Sequence, residues 1–567
     1  MARRGDAVDG AASSRRRRIP APLLAALAAV AVTAVIALLH GTYLANDDDL
    51  LVTFFRDDAA APFVAAVLSQ VMGAAYGAAP SVPWFGLWLY AVHAIALAVC
   101  AGALLALPGD APPALRRASR ISAGVLLVAV AALALRLTYG SAGIAACAAG
   151  LVALCAELLR ADGGRVARVA WAGLAVAAGV ATRLEAFVAA AAVTAPLLAF
   201  VAWDVIVVRR AARLGVLAAF VAPALVVVAL GPVMTQRDDP TSQRYLELNH
   251  ARHVLHFQGA YVDLDRRAPE VLTQAGWTPD RFWQFTNRFY FTDDWFTPAR
   301  LRALHDTGGA PKPVLTALPT HLRDAQDATS FGGTVLAAVV LAAVALGALG
   351  LITRRAAIVA ALHAAWLLVV AIALQRWLHF PDRIAVPMAV GAACAALVAT
   401  RHGVVTARWD AIAWRRGIPA LAMAAALILL SGVRVERFRT VRTDLPACAA
   451  LEDRIAARAP ALVVSYLEPS CEPSPLRASP RPYPSVTLTW PIFSRPFYRG
   501  LARLGISDAR ALVPALAAHR DAYVLLRRRY VASVVRGLSW PAQPITLTEV
   551  DASGPGALDL VLAHVDR

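Results

Sequence analysis

Apolar runs long enough to cross a bilayer alternate with short basic connections over most of residues 19–433, and two polar stretches break that rhythm. The runs fall at 19–39, 84–107, 121–137, 141–159, 169–182, 186–208, 214–234, 333–352, 356–374, 384–399 and 418–430. Arginines mark every second connection: Arg15 to Arg18, Arg116 with Arg117 and Arg120, Arg160 with Arg165 and Arg168, Arg209 with Arg210 and Arg213, Arg354 with Arg355, and Arg401 with Arg408, Arg415 and Arg416. Cytoplasmic loops carry such an excess of positive charge, so the pattern predicts an α-helical polytopic membrane protein of about eleven transmembrane helices, N-terminus in and C-terminus out. The segment Pro62 to Tyr76 is too short for a span and reads as an interfacial or re-entrant helix.

Three regions follow from this. Residues 1–18 form a cytoplasmic basic tail, and 19–433 a transmembrane region with a first external loop at 41–83 and a large one at 236–330. Residues 434–567 form a small extracytoplasmic α/β domain. In that last region 461–466 and 522–526 read as strands, 496–504, 509–517 and 531–538 as helices, and 545–550 with 557–564 as a hairpin split by Gly554-Pro555-Gly556. The first span is expected to stay attached: it is longer than a signal-peptide core, and Tyr43-Leu44-Ala45 lacks the small-x-small pattern of a cleavage site.

Composition agrees. Of 567 residues 59% are hydrophobic and 16% charged, with mean hydropathy +0.58. The net charge of +17 invites a nucleic-acid partner, but the basic residues sit in the connections, where membrane topology accounts for them, so no nucleic acid is expected. Cys100, Cys147, Cys155 and Cys394 lie within apolar runs as packing residues. Cys448 and Cys471 lie in the polar C-terminal region and are a disulfide candidate; closing a loop of about 24 residues would contribute roughly 3 kcal/mol on the chain-entropy model.

The candidate chemistry gathers on the predicted outer face. Asp47, Asp48 and Asp49 follow directly on the first span, where carboxylates need water, a cation or a partner charge. Arg183 and Glu185 are set between two apolar runs, and Arg376 and Arg383 flank a short external loop. The large loop adds Asn249, Arg252, Trp277 and Asp280. A carboxylate can deprotonate an acceptor hydroxyl, arginines can hold a phosphate leaving group through paired hydrogen bonds, and indole faces suit sugar rings; together they suit sugar transfer from a lipid-linked phosphate. His250, His253 and His256 do not share one helix face, which argues against a metal site there. The three aspartates leave a divalent cation open, since consecutive carboxylates converge poorly on one ion.

Asn46-Asp47-Asp48-Asp49, Pro83-Trp84-Phe85, Thr182-Arg183-Leu184-Glu185-Ala186-Phe187, the pair Asn249 and Arg252, and Gly276-Trp277-Thr278-Pro279-Asp280 together resemble bacterial polytopic membrane glycosyltransferases of the glycosyltransferase C superfamily. The resemblance implies a polyprenyl-phosphate sugar donor, a cell-envelope glycan, lipid or protein as acceptor, an inverting hexosyl or pentosyl transfer, and a multi-pass protein of the bacterial inner (plasma) membrane. It also implies a catalytic aspartate among Asp47, Asp48 and Asp49, the first two ranked ahead. Two rival readings are a lipid-linked saccharide transporter or flippase, which calls for ionisable groups at mid-membrane and repeat symmetry, and a non-catalytic envelope assembly protein.

Overall fold

The computed structural model describes residues 21–40, 47–57, 59, 61–106, 113–160, 166–203, 214–235, 240–257, 268–308, 362–363, 365–366, 369–370, 382–404, 435–467, 475–476, 481–539, 544–554 and 559–566. Its N-terminal part is a body of helices: α1 (Ala21–His40), α2 (Asp47–Arg56), α3 (Ala66–Ala78), α4 (Trp84–Leu105), α5 (Pro113–Ala132), α6 (Tyr139–Leu158), α7 (Val166–Thr182), α8 (Ala186–Trp203) and α9 (Leu214–Thr235). After the large loop, α14 (Asp382–Val404) returns to pack on α5, α6 and α8. Eight of these helices coincide in position with expected spans. The expected spans at 333–352 and 418–430, and nearly all of 356–374, fall outside the described residues.

Helix α6 is the hub of the body, touching α4, α7, α8 and α14. Its sequence explains this: it is built mainly of Ala and Gly, with Cys and Ser, so neighbouring backbones can come close. At one crossing a Cβ added to Gly179 would stand 2.5 Å from the Cys147 sulfur and 2.6 Å from the Gly143 carbonyl, so α6 and α7 meet almost backbone to backbone. The helix begins sharply because Thr138 caps it. The Thr138 side chain accepts from the Ser141 N–H while the Ser141 hydroxyl receives the Thr138 N–H, a reciprocal pair that satisfies two donors at the helix start.

Among the described helices, α4 and α6 are long and apolar enough to cross a membrane, and shorter apolar stretches lie at Leu24–Leu39, Val166–Thr182, Ala186–Ala202, Leu217–Leu230 and Val386–Ala399. Several of these helices turn large apolar side chains outward: Leu38 is 77% and Val188 69% exposed, and Leu27, Val30, Trp171, Leu225 and Val226 are exposed as well. A water-soluble protein would bury such a surface; lipid covers it in a membrane protein.

The rest of the chain forms a second body. The large loop contributes α10 (Pro240–Phe257), α11 (Pro269–Gln274), α12 (Pro279–Thr286) and α13 (Pro298–Gly308). The C-terminal region contributes α15 (Val435–Ala457), β1 (Leu462–Tyr466), β2 (Ser485–Leu488), α16 (Arg495–Leu501), α17 (Leu512–Ala518), β3 (Ala522–Arg527), α18 (Val531–Leu538), β4 (Thr546–Ala552) and β5 (Leu560–Asp566). The five strands form one sheet in the order β2-β1-β3-β5-β4, with β2, β1 and β3 parallel and the β4–β5 hairpin antiparallel. Strand β2 was not expected from the sequence; its four residues lie between prolines and carry no alternation long enough to read.

The loop helices and the sheet share a core. Leu272, Trp277, Phe285, Phe289 and Tyr290 are buried together with Leu462, Val464, Tyr466, Leu488 and Val524. Phe289 stacks on Tyr466 at 5.3 Å, and the Tyr466 hydroxyl donates to the Asn287 carbonyl at 3.0 Å. Opposite them, a Cβ on Gly537 would lie 2.3 Å from the Phe289 ring, so only glycine lets α18 close against the loop. Cys448 is disulfide-bonded; Cys471 lies outside the described residues.

Candidate functional site

Two of the sequence features converge on the first turn of α6. Helix α2 starts in the acidic run, and its second residue, Asp48, is fully buried. Its Oδ1 accepts the backbone N–H of Tyr139 at 2.6 Å. The positive end of the helix dipole is one of few buried settings that favours a carboxylate.

Arg183 approaches the same turn from the other side. It ends α7, its N–H bonding the Gly179 carbonyl at 2.9 Å, and its guanidinium lies 5.3 Å from the centre of the Tyr139 ring. Nε faces Glu185 Oε2 at 3.4 Å, and that partner is itself half in solvent. Nη1 is buried with no hydrogen-bond partner. A Cβ on Gly140 would stand 2.9 Å from Nη1, so the guanidinium lies against the helix start at a position that only glycine leaves open. A buried, unspent N–H of a permanent cation, beside a helix N-terminus, is suited to an anion.

The segment between α2 and α3 roofs this place. Ala65 N–H bonds Ala181 O at 3.0 Å and Leu184 N–H bonds Phe63 O at 3.3 Å, which stitches the loop to the α7–α8 connection. Phe63 is held at φ 72, a left-handed backbone that a non-glycine residue adopts only when its surroundings impose it. Its ring lies 6.4 Å from Tyr139, 5.1 Å from His253 on α10 and 5.8 Å from Trp490 after β2. Trp490 in turn stacks on Phe54 of α2 at 5.3 Å, and its carbonyl accepts the Tyr245 hydroxyl at 3.3 Å. Burial pushes the Tyr245 phenol well above its ordinary range, so it stays a neutral donor. Contacts through Tyr139, Phe63 and Trp490 therefore link α2, the 61–65 stretch, the start of α6, the α7–α8 connection, α10 and the stretch after β2.

The other sequence candidates are placed differently. Asn249 and Arg252 are buried on α10 and engage each other. Arg252 also donates to the Tyr290 hydroxyl at 2.7 Å and the Thr489 carbonyl at 3.3 Å, which makes the pair an internal latch between the large loop and the sheet. Trp277 is 3% exposed inside an aromatic cluster with Phe285, Trp295 and Phe296. Asp280 pairs with Arg536 at 3.0 Å on the surface of the second body. The remaining indoles of this loop are already faced: Trp283 stacks on Phe289 with the Arg536 guanidinium 4.1 Å from its ring, and Trp295 has Arg281 at 4.8 Å and Arg300 at 4.6 Å. The side chains of Asp47, Asp49, His256 and Arg383, and all of Arg376, lie outside the described residues. Among the described residues no three His, Cys, Asp or Glu side chains are grouped to hold a metal ion.

Sequence reasoning missed Tyr139, Phe63, Trp490 and His253 as parts of this place. The Thr138-Tyr139-Gly140-Ser141 helix start was readable as a cap, but nothing in the sequence says that a carboxylate and a guanidinium meet there. No family model matches the chain, and no curated protein matches it. Two solved structures do: ArnT from Cupriavidus metallidurans bound to undecaprenyl phosphate, with 13% identity over 95% of this chain and 97% of that one and a TM-score of 0.40, and the same protein in the apo state, with the same identity and coverage and a TM-score of 0.37.

Proposed function

We propose that this chain is a multi-pass membrane glycosyltransferase that moves a sugar from a polyprenyl-phosphate donor to a cell-envelope acceptor on the outer face of the membrane. The observation that carries the reading is the buried, unpartnered Nη1 of Arg183 beside the first turn of α6, with the buried Asp48 carboxylate bound to that same turn. Arg183 takes the donor phosphate. Asp48, oriented by the Tyr139 N–H, accepts the proton of the acceptor hydroxyl as its oxygen attacks the anomeric carbon. The bond from that carbon to the phosphate oxygen breaks, the sugar inverts, and the charge left on the phosphate is met by the guanidinium and the helix end. Of the three aspartates, Asp48 is assigned the catalytic role; Arg376 and Arg383 are kept, from the sequence alone, as further candidates for the donor phosphate.

Binding of a polyprenyl phosphate to the purified, reconstituted protein tests the donor half directly. Wild type binds it, and Arg183→Gln weakens binding about tenfold or more, the loss of a charge-assisted pair. Unchanged binding in Arg183→Gln would remove Arg183 from the site and the reading with it.

A further inference from the structure

The end of α7, which delivers Arg183, is tied down residue by residue. Ala181 gives its carbonyl to the Ala65 N–H at 3.0 Å, and Leu184 gives its N–H to the Phe63 carbonyl at 3.3 Å, both within the segment between α2 and α3. Arg183 returns its own N–H to Gly179 at 2.9 Å inside α7. Thr182, the last residue of α7 and fully buried, is held from another helix: its hydroxyl receives the indole N–H of Trp88, one turn into α4, at 2.9 Å.

Chemistry fixes the direction of that bond. The Thr182 hydroxyl has one proton, which goes to the Ala178 carbonyl at 2.7 Å, so toward Trp88 it accepts. An indole N–H only donates. The result is a chain from Trp88 through Thr182 to the α7 backbone one turn earlier. A hydroxyl that bonds back four residues bends its helix, and here a planar donor on α4 fixes where the bent end lies.

Arg183 follows directly. Its guanidinium has few bonds of its own to hold it, since Nε faces the half-exposed Glu185 at 3.4 Å and Nη1 has no partner. The place of the guanidinium is therefore set by the backbone from which it springs. We propose that Trp88 is a positioning residue for Arg183, fixing the end of α7 through the Thr182 hydroxyl so that the guanidinium stands where the donor phosphate binds. This rests on Arg183 as the ligand of that phosphate. A group held in place beforehand costs less to order on binding, so the role is read in affinity for the donor.

A double-variant cycle tests it, with decaprenyl phosphate as the probe and full-length reconstituted protein throughout. Trp88→Phe keeps an aromatic ring and loses the N–H. It should weaken binding about three- to tenfold in the wild-type background, the worth of one hydrogen bond, and change nothing in the Arg183→Gln background, where no guanidinium is left to position. Thr182→Val, which keeps the shape and loses the hydroxyl, should follow Trp88→Phe, and Thr182→Ser, which keeps the hydroxyl, should bind as wild type does. An equal loss from Trp88→Phe in both backgrounds would overturn the proposal and mark the indole as packing alone. Weakened binding in Arg183→Gln beside wild-type binding in Trp88→Phe and Thr182→Val would overturn it too, while leaving the reading of Arg183 intact. Unchanged binding in Arg183→Gln would remove that reading and the positioning role together.

Discussion

Asp48 accepts the backbone N–H of Tyr139 at 2.6 Å, so the acidic segment after α1 is bound to the first turn of the helix at the centre of the body. The carboxylate serves two purposes that substitution can separate. Asn keeps an acceptor oxygen for the N–H and removes the charge. Asp48→Asn should fold and insert normally and lose sugar transfer by about a hundredfold or more, the scale of a lost general base. Asp48→Ala removes the acceptor as well, leaves a buried N–H bare and should lower stability by about 1–3 kcal/mol. Thermal unfolding of the two purified variants checks the difference: Ala melts lower than Asn.

Gly140 offers a way to move Arg183 without deleting it. In Gly140→Ala the new methyl would stand 2.9 Å from Nη1, the far end of a flexible side chain. The side chain can yield, so stability should change by less than about 1 kcal/mol, while the guanidinium leaves its place against α6. The expected result is a folded protein whose KM for the donor rises; donor titrations on the reconstituted variant check it.

The latch between the large loop and the sheet predicts a stability effect far from the site. Arg252 is buried and bonds the Tyr290 hydroxyl, the Thr489 carbonyl and Asn249. Arg252→Ala should destabilise the second body by about 2–4 kcal/mol through lost charged hydrogen bonds and packing. Limited proteolysis should then cut within 240–308 or 481–539 before it cuts the helical body.

Acid should loosen the same body at its edge. Asp551 of β4 receives two hydrogen bonds from Arg454 of α15, which hold its carboxyl below the ordinary value of 3.8. A carboxylate lowered on folding adds stability above its unfolded value and loses it as pH falls through the folded one, so the contribution fades below about pH 4. Asp551→Asn should be less stable than wild type at neutral pH and should approach it as the pH is lowered through that window, as read by thermal melts across pH.

Eight helices of the helical body were legible because an apolar run of sufficient length is a local signal in the sequence. Strands β1 and β3 and the closing hairpin were legible for the same local reason, whereas β2 was not. What could not be read is where separate segments meet. Asn249, Arg252 and Trp277 look like ligand groups in sequence because they are polar or aromatic in a loop, and the fold uses them as latch and core. Phe63 and Trp490 have no local signal at all, since their role comes from contacts between distant segments. The same holds for the shared core: nothing in 240–308 announces that Phe289 will stack on Tyr466.

A catalytic Asp48 makes sugar transfer depend on the charge of this carboxylate and not on its hydrogen bond to Tyr139. Purified wild type and Asp48→Asn, reconstituted side by side and given a panel of labelled polyprenyl-phosphate sugars with envelope extract, test it most directly. Wild type should give labelled product with at least one donor and Asp48→Asn none above background, with both proteins melting alike. Equal product from the two would contradict it.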